Sequence, residues 1–104
     1  MSDKDDIVLP FYVSLYIHQQ VLHNCLLDSG ASHNLMPKVV MEKLGLEITR
    51  PYHDLYTFDS SWVKCLGVIK YLAVTLTQLP MNQIVMDIVV AYIEPKFGML
   101  LSRL

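Results

Sequence analysis

The hydrophobic residues of this chain fall in short runs separated by polar or turn-forming breaks. Ile7 to Ile17 is rich in Ile, Val, Phe, Tyr and Leu, side chains that suit a pleated surface, and Pro10 places its first part at a sheet edge. His18-Gln19-Gln20 interrupts the run and predicts a hairpin turn, without the Gly or Asn usual there. Val21 to Leu27 is a second strand that runs straight into Asp28. Pro37 suits a first helical turn, Val39, Val40, Leu44 and Leu46 are apolar positions, and Gly45 is a stop, so Pro37 to Leu44 is the one helix of any length. Tyr52 to Phe58 alternates imperfectly, Asp59-Ser60-Ser61 is polar, and Trp62 to Cys65 turns apolar again ahead of Gly67, which together predict a hairpin with a polar tip. Val68 to Leu76 is another strand and 77–82 a loop. Ile84 to Ile93 is apolar apart from Asp87 and reads as a strand buried on much of both faces. Glu94-Pro95-Lys96 ends it, and Phe97 to Arg103 adds a last apolar run. Short strands, regular turn signals and one helix predict an all-β domain, most simply a small closed barrel over residues 7–104, with residues 1–6 a flexible polar arm.

Length and composition narrow this further. A chain of 104 residues, 53% of them apolar, is one domain with enough apolar surface for a core. No apolar run approaches the roughly 20 residues of a membrane helix. The charged start, Met1 to Asp6, lacks the layout of a signal peptide, so no membrane partner and a cytoplasmic setting are expected. A net charge of −2 without a Lys/Arg cluster argues against a nucleic-acid surface. Cys25 and Cys65 are too few for a disulfide framework and are expected reduced. His18, His23, Cys25 and Cys65 include no Cys-x-x-Cys or His-x-x-x-His pair, so no metal or other cofactor is expected; Cys25 reads as core and His23 as outward-facing.

The chemistry concentrates at Asp28-Ser29-Gly30. A buried strand that ends in this triplet delivers a carboxylate to a tight turn, beside apolar walls that can tune its protonation. Gly30 permits a left-handed backbone or a close approach, and Ser29 can bond the local backbone. Asp54 and Asp59 fall in the hairpin, Asp87 in a strand as a solvent-facing residue, and Asp3, Asp5 and Asp6 in the arm; none has this setting.

With its flanks, Leu26-Leu27-Asp28-Ser29-Gly30-Ala31-Ser32 fits apolar-apolar-Asp-[Ser/Thr]-Gly-Ala-[Ser/Thr] and resembles the active-site loop of the retropepsins, the retroviral-type aspartic peptidases. The continuation His33-Asn34-Leu35 is most similar to versions carried by plant gypsy-type retrotransposons and their domesticated relatives. The likeness extends in order along the chain. The hairpin at Phe58, Asp59, Ser60, Ser61 and Trp62 falls where the family keeps its flap over the substrate. Gly67-Val68-Ile69 resembles the glycine-hydrophobic step after the flap, and Leu100-Leu101-Ser102-Arg103 the segment that crosses behind the active-site loop.

The resemblance implies an aspartic endopeptidase with Asp28 as its catalytic acid, Ser29, Gly30 and Ala31 supporting it, and an extended polypeptide as substrate. That chemistry needs two equivalent acids and the chain offers one, so a two-fold homodimer with the site on its axis is expected. The alternative is a non-catalytic dimerisation or peptide-binding remnant of the same fold. Three features depart from the family. Ser102 stands where glycine is usual, Ser32 where retroviral members often carry an acid that pairs with the arginine, and the family's C-terminal helix is expected to be truncated here.

Overall fold

Strands β1 (Phe11–Ile17) and β2 (Gln20–Leu27) pair antiparallel around His18 and Gln19, whose φ angles of 55° and 65° are both left-handed. This backbone matches the twist of a tight hairpin, so the turn forms without its customary residues, and Gln20 belongs to β2 rather than to the turn. The computed structural model describes residues 11–28, 30–52, 55–58 and 61–102; the expected start of the first strand, Ile7 to Pro10, lies outside them.

Two elements follow β2 where the sequence pattern gave only one. Strand β3 (Asn34–Pro37) comes first, and helix α1 (Lys38–Leu44) starts one residue later than expected, with Pro37 extended at its N-cap. Gly45, at φ 72°, ends the helix; its N–H bonds Glu42 O and that of Leu46 bonds Met41 O, each at 3.1 Å. Gln20 Nε2 also donates to Leu44 O at 2.9 Å, tying the hairpin turn to the helix end. Val40, Met41 and Leu44 are the buried face.

Strand β4 (Arg50–Pro51) is too short to leave a pattern. Among the described residues, strand β5 (Leu55–Phe58) pairs only with the start of β6 (Ser61–Leu76). The two strands expected at 62–65 and 68–76 are thus one, continuous through Gly67. A Cβ at Gly67 would clash with the Ile48 side chain and lie 2.8 Å from Arg50 O, so glycine here marks the close crossing of β4 and not a strand end. Strands β7 (Gln83–Ala91) and β8 (Leu100–Leu101) complete the set.

The order β1-β2-β8-β3-β7-β6, with β6 pairing back to β1, closes a six-stranded barrel, and β4 lies outside it against β6. The two residues of β8 are wedged between β2, to which they run parallel, and β3, to which they run antiparallel. Successive strand residues point to opposite faces, so β8 feeds two cores. Leu101 joins the main one with Leu15, Ile17, Met36, Ile88 and Met99, whereas Leu100 joins a smaller one with Leu35, Cys65, Val89 and Ala91.

Both cysteines are free and buried, and burial pushes the Cys25 thiol up to about 12 despite an opposing backbone hydrogen bond. Neither should react with an alkylating reagent at neutral pH while the protein is folded, and both should react in denaturant; prompt modification of the native protein would contradict this burial.

Candidate active site

Asp28 directly follows β2, and its position is set by β8. Leu26 and Leu27 are in register with Leu100 and Leu101. The Leu26 N–H donates to Met99 O and the Asp28 N–H to Leu101 O, both at 2.8 Å. The chain then reverses. The Ala31 N–H bonds the Asp28 carbonyl, and the Gly30 N–H bonds Asp28 Oδ1, each at 3.0 Å. One carboxylate oxygen is therefore held by its own loop, while the side chain stays exposed and open to a partner. A Cβ on Gly30 would lie 3.4 Å from Asp28 Oδ1, an ordinary contact, so close approach is not what requires glycine there.

An apolar wall flanks this loop. Leu26, Ala31, Val63 and Ile93 pack on the smaller core built on Leu35 and Leu100. Leu26, Leu35, Val63 and Ile93 were not singled out from the sequence as site residues. They come from four different parts of the chain, and only barrel closure gathers them into the cluster on which Leu26 and Ala31, on either side of Asp28, are packed.

The hairpin of β5 and β6 carries the expected flap residues. Phe58 pairs with Ser61 and Thr57 with Trp62, whose indole is 70% exposed. Asp59 and Ser60, like Ser29, Arg103 and Asp54, lie outside the described residues.

Ser102 has a local explanation. Its N–H and its hydroxyl both donate to Asn34 Oδ1, at 2.9 and 3.1 Å. That leaves Asn34 Nδ2 to face, and donate to, Asp87 O at 3.1 Å. One carboxamide thus joins the start of β3, the end of β8 and the middle of β7. Asn34→Ala should leave these groups short of partners and lower stability by about 1–2 kcal/mol. Ser102→Gly keeps the backbone donor and should cost less; denaturant midpoints of the two variants check the order. Ser32, in the position the resemblance gives to an acid, is exposed, with its hydroxyl 3.0 Å from His33 Nδ1.

Asp87 is exposed, as expected, and is used structurally. It accepts from the Tyr71 N–H at 3.0 Å and pairs with Lys70 Nζ at 3.1 Å. Tyr71 has φ 58° inside an irregularity of β6, and the carboxylate pins that distortion. The Tyr71 N–H, then Lys70, hold the Asp87 carboxyl below its ordinary range. A depressed acid contributes stability above its unfolded value, lost as pH falls through the folded one. This contribution is small, because the group is half exposed. Among the described residues, no group of three His, Cys, Asp or Glu is placed to hold a metal ion.

No family model matches the chain, and no curated protein matches it by sequence. Solved structures do match by fold. A retropepsin-like aspartic protease from Rickettsia conorii superposes with a TM-score of 0.64 at 19% identity, over 95% of this chain and 76% of that one. The retroviral protease-like domain of Ddi1 from Leishmania major gives 0.60 at 18%, over 90% and 72%. The EIAV protease, complexed with the inhibitor HBY-793, gives 0.65 at 17%, over 92% and 84%. The barrel is of the retropepsin type.

Proposed function

We propose, taking the fold shared with those proteases as the premise, that this chain supplies half of an aspartic endopeptidase centre and works as a two-fold homodimer. The observation that carries the reading is the suspension of Asp28. Its backbone is bonded to β8, one carboxylate oxygen is held by Gly30, and the side chain is left exposed beside an apolar wall. Two such acids facing each other across a dimer axis, about 3 Å apart, cannot both ionise, so they share a proton. One takes a proton from the attacking water while the other donates to the scissile amide. The pair then titrates as a unit, which places activity at mildly acidic pH. An extended peptide would lie over Leu26, Ala31, Val63 and Ile93, the half-buried surface of the smaller core, under the β5–β6 hairpin, and apolar side chains would fit there. The likeness of the active-site loop to plant gypsy-type retrotransposon enzymes belongs to the same reading.

The experiment is cleavage of an apolar peptide at mildly acidic pH, with pepstatin as inhibitor, alongside sedimentation of the same sample. Pepstatin-sensitive cleavage by a dimer supports the enzyme. A strictly monomeric chain at high concentration, without cleavage, favours the non-catalytic peptide-binding remnant.

A further inference from the structure

We propose that the groove between the outer edge of β2, helix α1 and the 95–98 segment is a docking site for an extended acidic segment of a partner protein. This groove is separate from Asp28. Its volume is about 440 Å³, and Val21, His23, Val39, Lys43, Lys96 and Phe97 are among its lining residues.

The backbone supplies the first argument. In a two-residue hairpin the residues flanking the turn, here Ile17 and Gln20, exchange hydrogen bonds, and bonded and non-bonded pairs then alternate. Leu15 and Leu22 form the next bonded pair, so Val21, opposite Tyr16, directs its N–H and C=O away from β1. On that side β8 pairs with β2 only at Leu26 and Leu27, and the next bond is Gly98 N–H to Asn24 O at 3.0 Å. Among the described residues the edge at Val21 is therefore open toward the groove, and its N–H and C=O can anchor one point of an extended peptide. The opposite wall is held firmly, since a Cβ on Gly98 would lie 2.6 Å from His23 O.

Side chains supply the rest. Val21 and Val39 are 42% and 53% exposed and form an apolar floor. Lys43 and Lys96 stand on the rim. Lys43 has no acidic partner among the described residues, and Lys96 lies only loosely beside Glu94, at 4.0 Å with both side chains highly exposed. The whole chain carries −2, so this cationic rim is local and not a general excess. Val39 and Lys43 lie one turn apart on the groove-facing side of α1, so a strand laid against Val21 would meet both with the row of side chains it turns toward the helix. A segment that carries both apolar and acidic residues matches that surface.

The test uses a fluorescein-labelled heptapeptide of alternating Asp and Leu, with a Lys/Leu peptide as control, and reads anisotropy on the full chain. The acidic peptide should bind and the basic one should not. Lys43→Glu together with Lys96→Glu should weaken binding about tenfold, and added salt should weaken it further. Amide shifts in NMR spectra should move at Val21, Lys43 and Lys96, a readout that needs no variant. Absence of binding, equal binding of both peptides, or shifts confined to the Asp28 loop would overturn the proposal. It would fall too if Asp3→Asn, Asp5→Asn and Asp6→Asn in the full chain sharply raised affinity for the probe, because the chain's own arm would then be the occupant. Cleavage activity plays no part in these readouts, so the proposal fails or stands independently of the enzymatic reading.

Discussion

Asp28→Asn should reduce peptide hydrolysis by a factor of about 10³ or more, with little change in fold or stability. The substitution removes the ionisable oxygen and keeps the shape. An Asn carbonyl can still accept the Gly30 N–H now bound to Asp28 Oδ1, and the backbone bond to Leu101 O does not involve the side chain. Because the carboxylate is exposed in the single chain, its loss should move the thermal midpoint little. Mixing gives a sharper test. If the centre is shared between two exchanging chains, an equal amount of the variant should roughly halve the activity of a fixed amount of wild type. If each chain acts alone, the variant should leave that activity unchanged. A variant as active as wild type would remove Asp28 from the chemistry altogether.

The legibility of the chain divides along the range of its interactions. Asp28, the β1–β2 hairpin and the helix stop at Gly45 are local, and each is visible in a few consecutive residues. Strands β3, β4 and β8 are not, because elements of two to four residues are defined by what they pair with. The sequence of β6 looks like two strands for a related reason. Gly67 resembles a break until Ile48 and Arg50 are seen to cross it. The Asn34–Ser102 link spans 68 positions, so Ser102 looks like a simple departure from a glycine when its actual partner is the Asn34 carboxamide. The apolar wall beside Asp28 is legible as apolar residues but not as a wall, since closure of the barrel brings them together.

Leu101→Ala should be among the most destabilising single truncations, at about 2–5 kcal/mol, a large part of the 5–15 kcal/mol typical of a domain this size. Leu101 is fully buried in the main core, and its strand is only two residues long. The space left behind cannot be closed by sliding β8, because Leu101 O still holds the Asp28 N–H and Leu100 is paired with both Leu26 and Leu35. A calorimetric midpoint lower by on the order of 10 °C is expected. Leu100→Ala is the informative companion, since the Leu100 side chain enters the other core, beneath Leu26 and Ala31 on either side of Asp28. Both variants should lose stability. At temperatures where both remain folded, Leu100→Ala should raise KM for an apolar peptide, whereas Leu101→Ala should leave KM near wild type. Equal effects on KM would mean that the smaller core is scaffold alone and that the substrate wall lies elsewhere.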